Sequence, residues 1–214
     1  MTFNILNYKE ILDYIGEKSL KSVKLVVVSK NHTISAVEEA ILAGARIFGE
    51  NRVQEAKDKF FNLKEKFKDI ELHLTGPLQT NKVKNALSIF DVIQTLDREK
   101  LANELAKNSN LIKNKSFFVQ VNTGKENSKS GIFPEDADEF INYCLLDLDI
   151  NIVGLMCIPP LEEDPHFHFS LLRDIASKNN LKSLSMGMSS DYQQGISCGA
   201  THIRVGTKLF GKRS

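Results

Sequence analysis

The chain has 214 residues, 28 Lys and Arg against 27 Asp and Glu, and a formal net charge of +1. That length fits one domain, and the even charge balance lacks the clustered positive excess of a nucleic-acid surface. Three cysteines, Cys144, Cys157 and Cys198, form no C-x-x-C pair, which excludes a disulfide framework or zinc ribbon and suits a reducing compartment.

The first ten residues have no basic stretch followed by an apolar core, and no apolar run approaches the roughly 18 to 20 residues that cross a bilayer. A cytoplasmic protein without membrane contact is expected.

In chain order, a first helix with Tyr8, Ile11, Leu12 and Ile15 precedes a strand over 23–28. Ser35-Ala-Val-Glu38 reads as a capping box opening a helix with Val37, Ala40 and Ile41 inward, stopped by Gly44. A strand over 46–48 leads to a helix whose apolar face is Val53, Ala56, Phe60, Leu63 and Phe67. Its charge run over 57–68 reads as the solvated side. Strands follow over 71–74 and 92–94, and Asp97 is placed to cap a helix carrying Leu101 and Leu105. After a strand over 116–121, Pro134 starts a helix with Ala137, Phe140, Ile141 and Cys144 inward. A strand over 151–155, a helix after Pro165 with Phe169, Leu172, Ile175 and Ala176, and strands over 183–186 and 202–205 complete the pattern.

Eight short, nearly continuous apolar strands alternating with helices predict a single α/β domain over 1–214, a (β/α)8 barrel with residues 1–20 as a helical extension packed on it. A doubly wound open sheet is the alternative. In a barrel, function collects at the C-terminal strand ends. Those positions hold Ser29 and Lys30, Glu50 and Asn51, Thr75 and Gly76, Thr95, Asn122, Met156, Met188-Ser-Ser190, and Arg204 with Gly206 and Thr207.

Three valines, followed by Ser29, lead into Lys30. A partly desolvated amine there favours the neutral nucleophile that forms Schiff bases with aldehydes; the plainer alternative is a lysine reaching into solvent. The segments around Ser189 and Arg204-Val-Gly-Thr207 follow the last two strands, where barrels often hold a phosphate. Gly206 permits close backbone approach, and Ser189 and Thr207 supply hydroxyls. Together these features ask for a phosphorylated aldehyde. The run Gly206-Thr-Lys-Leu-Phe-Gly-Lys212 ends in Arg213 rather than Ser or Thr and is not a P-loop. His166-Phe-His168 lacks metalloprotease spacing and reads as solvated. His73, on an apolar strand, reads first as a satisfied core histidine, with its position near the strand end keeping it a pocket candidate.

Val28-Ser-Lys30, Phe48-Gly-Glu-Asn-Arg-Val-Gln-Glu55, His73-Leu-Thr-Gly-Pro-Leu-Gln-Thr-Asn-Lys82, Gln120-Val-Asn122, Ser128-Lys-Ser-Gly131, Gly154-Leu-Met156, Leu184-Ser-Met-Gly-Met-Ser189 and Arg204-Val-Gly-Thr207 occur in order. From about residue 23 to 211, this series resembles the YggS/PROSC family of pyridoxal phosphate homeostasis proteins.

The resemblance implies a single barrel like the N-terminal domain of alanine racemase, binding pyridoxal 5′-phosphate (PLP). Lys30 would hold PLP as a Schiff base, Ser189, Gly206 and Thr207 its phosphate, and Arg204 would sit beside the pyridine nitrogen. Asn51 and His73 would line the pocket, and no metal is implied. Asn31 stands where the family commonly has Thr, and Leu72 and Leu74 flank His73 where bulkier aromatics are common. Alanine racemases add a second domain that supplies a catalytic tyrosine. With Ser214 seven residues beyond Thr207, the expectation is a carrier rather than an efficient enzyme. It would be a monomer that buffers PLP or delivers it to PLP-dependent apo-enzymes. A slow amino-acid racemase is the alternative; an aldolase-like barrel acting on a sugar phosphate is the third.

Overall fold

The computed structural model describes residues 2–19 and 22–211. The ends of the expected domain and of its extension, Met1, Leu20 and 212–214, lie outside the described residues, as do Lys212 and Arg213 of the P-loop-like run. Eight parallel strands pair in chain order: β1 (Lys24–Val28), β2 (Ile47–Glu50), β3 (Glu71–Leu74), β4 (Val92–Leu96), β5 (Ser116–Gln120), β6 (Ile152–Met156), β7 (Ser183–Ser185) and β8 (His202–Val205). β8 returns to β1, with Lys24 opposite His202 and Val27 opposite Val205. That closure removes the open-sheet alternative.

Helices α1 (Ile5–Lys18), α2 (Ile34–Leu42), α3 (Val53–Lys66), α4 (Val83–Leu87), α5 (Glu99–Ala106), α6 (Ser109–Ile112), α7 (Ala137–Asn142), α8 (Pro165–Lys178), α9 (Tyr192–Ser197) and α10 (Thr207–Phe210) accompany the strands. α1 is tied to the end of the chain: the Asn4 amide donates to the Leu209 carbonyl at 2.8 Å, and Lys208 pairs with Glu10 at 2.8 Å.

Successive strand residues face opposite ways, and the two sides differ in chemistry. Val27, Phe48, Leu72, Ile93, Phe117, Leu155 and Ile203 face outward into the large core shared with the helices. Inside the barrel, a small apolar cluster of Val92, Phe118 and Met156 is accompanied by buried His73, Gln94, Ser185, His202 and Arg204.

Several local expectations need correction. Thr33, not Ser35, caps α2: its backbone is extended and its hydroxyl accepts from the Ala36 amide at 3.3 Å. Asp97 makes no cap, because Arg98 precedes α5 and engages the Asp97 carboxylate. Leu12 is largely exposed on α1. His168 is buried on the inner face of α8 with its ring 3.2 Å from a Glu163 oxygen, so it is not solvated. Lys59, in the supposedly solvated run of α3, is buried as well.

Candidate functional site

β1 ends at Val28, and the chain turns at once: the His32 amide donates to the Ser29 carbonyl at 3.1 Å, with Lys30 and Asn31 between them. Asn31 has a φ of 61°, a left-handed conformation that asparagine tolerates better than β-branched residues. Lys30 is half-buried and faces a cavity of about 420 Å³ whose wall includes Asn51, Ser189, Arg204, Gly206 and Thr207. Six of the seven sequence-predicted site residues therefore share one cavity.

His73 does not line that cavity. It is fully buried in the barrel, with Nε2 2.7 Å from Glu71 and Nδ1 2.7 Å from the Gln94 amide nitrogen. Its inward position on β3 gives it the core partners Glu71 and Gln94 and keeps it out of the cavity wall. Burial lowers its pKa, opposed by Glu71, and the neutral ring then donates from Nε2 and accepts at Nδ1.

At one side of the cavity, the Gly206 and Lys208 amides converge on Ser189 Oγ at 3.3 and 3.4 Å. A Cβ on Gly206 would lie 3.0 Å from the Val28 carbonyl oxygen. The absence of a side chain lets this amide-bearing loop sit against the end of β1. Grouped amides and hydroxyls of this kind suit an anion such as phosphate.

Arg204 contributes to the floor from β8 and is only 5% exposed. Its Nη1 donates to Ser185 Oγ and its Nη2 to the Cys157 carbonyl, both at 2.8 Å. Among the described residues no carboxylate lies within ion-pair distance of it. Burial lowers its pKa, yet a guanidinium remains charged at neutral pH. The cavity thus has a cation held by neutral oxygens and still able to donate toward a ligand acceptor.

Behind Arg204 the donors all point one way. Ser185 Oγ donates to Gln94 Oε1 at 2.6 Å, and Gln94 donates to His73. His73 donates to Glu71, which also meets Lys24 at 3.0 Å. The hydrogen bond from His73 leads in holding Glu71 down to about 2, against burial and with help from Lys24. Burial pushes the Cys157 thiol below Arg204 up to about 12.

Beside the first cavity lies another of about 690 Å³, sharing Asn51, Thr75 and Ile158 with it. The sequence reading named Thr75 but missed Ile158 and His32 as wall residues. It also missed Gln94 and Ser185, whose strand pattern carries no sign of an inward polar chain.

The family model described as alanine racemase, N-terminal domain, matches residues 6–214. A pyridoxal phosphate homeostasis protein of Aquifex aeolicus is 38% identical over 202 residues, covering 89% of this chain and 87% of the relative. The chain belongs to that family. Its Escherichia coli K12 member is 35% identical over 206 residues, covering 92% and 88%. The structure of the family member PipY of Synechococcus elongatus with PLP bound has a TM-score of 0.83 at 37% identity, covering 94% of this chain and 99% of that one. An alanine racemase of Clostridium difficile shares the fold, with a TM-score of 0.74 at 16% identity, covering 99% of this chain and 58% of that one. The expected barrel class and family resemblance both hold.

Proposed function

We propose that this protein binds PLP in the 420 Å³ cavity and holds it reversibly for intracellular supply, with Lys30 as the covalent anchor. The observation that carries the reading is Arg204: a buried guanidinium with only neutral partners, in the same cavity as an amine and a converging set of amides. A phosphorylated pyridine aldehyde matches all three features. Its phosphate suits Ser189, Gly206 and Thr207, its ring nitrogen suits Arg204, and its aldehyde suits Lys30, with Asn51 on the wall. Lys30 would hold that aldehyde through its Nζ, its amine condensing with the aldehyde carbon as a C=N bond with loss of one water. The bound relative and the homeostasis proteins support the same ligand and role.

PLP supplies an electron-withdrawing ring when bound, and its strength depends on the partner of the ring nitrogen. Arg204 would donate there and disfavour protonation, which would weaken the ring as an electron sink. A weakened electron sink is compatible with a carrier, and recipient apo-enzymes in the cytoplasm are the corresponding partners.

The test is an absorption spectrum from about 300 to 500 nm after PLP addition, then borohydride reduction and peptide mapping. A pyridoxyl adduct on Lys30, absent from Lys30→Ala, is expected. A colourless, unmodified protein overturns the cofactor assignment; an undiminished adduct in Lys30→Ala overturns the anchor. Alanine α-deuterium exchange faster than with free PLP, and lost in Lys30→Ala, would replace the carrier reading with an enzymatic one.

A further inference from the structure

Lys59 lies on α3 at three residues from Ala56 and four from Leu63, so it shares the buried stripe of that helix. Its ammonium meets three oxygens: Glu50 at 2.6 Å, the Ser29 carbonyl at 2.7 Å and Glu55 at 2.8 Å. Three N–H bonds and three acceptors leave the ammonium fully used. Glu50 is buried at the end of β2, facing away from the barrel interior by strand alternation, and accepts a second bond from Ser29 Oγ at 2.7 Å. Its other oxygen is buried with no hydrogen-bond partner among the described residues. Glu55 accepts from the Asn31 amide.

Ser29 and Asn31 are the two neighbours of Lys30 in the chain. Both are tied to one ion cluster on the outer side of the barrel wall. The Ser29 carbonyl, which closes the turn by accepting from His32, is the same atom that accepts from Lys59. Buried ion clusters add little net stability over apolar packing of the same volume. What this cluster does provide is a fixed backbone on both sides of one lysine.

We infer that Lys59, with Glu50 and Glu55, is a positioning residue for Lys30, clamping from behind the turn that carries the amine into the cavity. The inference rests on the reading that Lys30 anchors the cofactor. Lys59 is not part of the cavity wall and acts only through Ser29 and the two carboxylates. Loosening the turn therefore weakens formation of the C=N bond while leaving the anion-binding amides of Gly206 and Lys208 as they are.

Two ligands separate those effects: PLP, and pyridoxine 5′-phosphate, which carries an alcohol in place of the aldehyde. Both engage the phosphate and ring contacts, but only PLP can bond to Lys30. Wild-type protein should prefer PLP. Lys59→Met should lose about tenfold or more of that preference, with pyridoxine 5′-phosphate affinity within about twofold of wild type, since small misplacements of a reacting group cost rate and bond formation steeply.

Should Lys59→Met fail to fold, Glu55→Ala carries the test. That side chain is 22% exposed, and its loss releases the Asn31 amide to water; a several-fold loss of preference is expected. An unchanged preference in the folded variant overturns the inference. A parallel loss of both ligands also overturns it, because that is the signature of a purely structural role. Wild-type protein that binds neither ligand, or both equally, overturns the assignment of Lys30 itself.

Discussion

Replacing Ser185 with alanine cuts the buried chain between Arg204 and Glu71 at its narrowest link. Ser185 is fully buried, and its single hydroxyl both accepts from Arg204 Nη1 and donates to Gln94 Oε1. The substitution removes a hydrogen bond to a charged group, worth about 1.5–3 kcal/mol, and leaves a buried amide oxygen without its donor, at about 1–3 kcal/mol. Because the two losses share one atom and do not simply add, the expected destabilisation is about 3 kcal/mol. Urea denaturation should show this as a midpoint lowered by about 1–2 M at an unchanged slope. A companion variant, Gln94→Leu, removes the next member. In the double variant the combined loss should fall short of the sum by about 1 kcal/mol or more. A Ser185→Ala loss below about 0.5 kcal/mol, or strict additivity with Gln94→Leu, would refute the chain as an energetic unit.

Acid should destabilise the barrel from within. Burial above all, with a smaller push from the Lys24 charge, pulls the His202 pKa from 6.5 to about 3. An unfolded histidine takes up its proton near 6.5 and the folded one does not, so stability is full above 6.5 and falls as pH drops toward 3. The loss should reach about 2–3 kcal/mol near pH 4.5. Urea titrations at about pH 7, 5.5 and 4.5 should show it, and His202→Phe should flatten the profile; a flat wild-type profile would contradict the argument. At α2, Thr33→Ala should cost about 1 kcal/mol in thermal or urea unfolding, while Ser35→Ala should stay within a few tenths. Equal losses would return the cap to Ser35.

The barrel was legible because each parallel strand sits between the interior and a helix, and so reads as a short apolar run. Lys30 was legible for a related reason: a cation just past three valines and a serine interrupts such a run. Polar residues that continue a strand were harder. Glu50 ends β2 and Gln94 occupies β4 because their side chains find buried partners from distant segments, information absent from the local pattern. Lys59 and His168 share a lesson. Each occupies a buried helical stripe, with Leu63 and Leu172 four residues on, so helical spacing placed them inward even though residue type suggested solvent. The α2 cap was misplaced because Ser35 and Glu38 have the right spacing, but the backbone becomes helical one residue after Thr33.

The buried thiols bear on how selectively the cavity treats an aldehyde. Thiolates attack aldehydes readily, and cysteine is the usual competitor of lysine for such carbonyls. Burial holds both Cys144 and Cys157 up at about 12, so at neutral pH both stay protonated thiols. Cys157 lends Arg204 its backbone carbonyl while its sulfur stays chemically quiet. The same protonation shields both positions from mild oxidants and alkylating reagents, and neither sulfur lines the cavity that Lys30 faces.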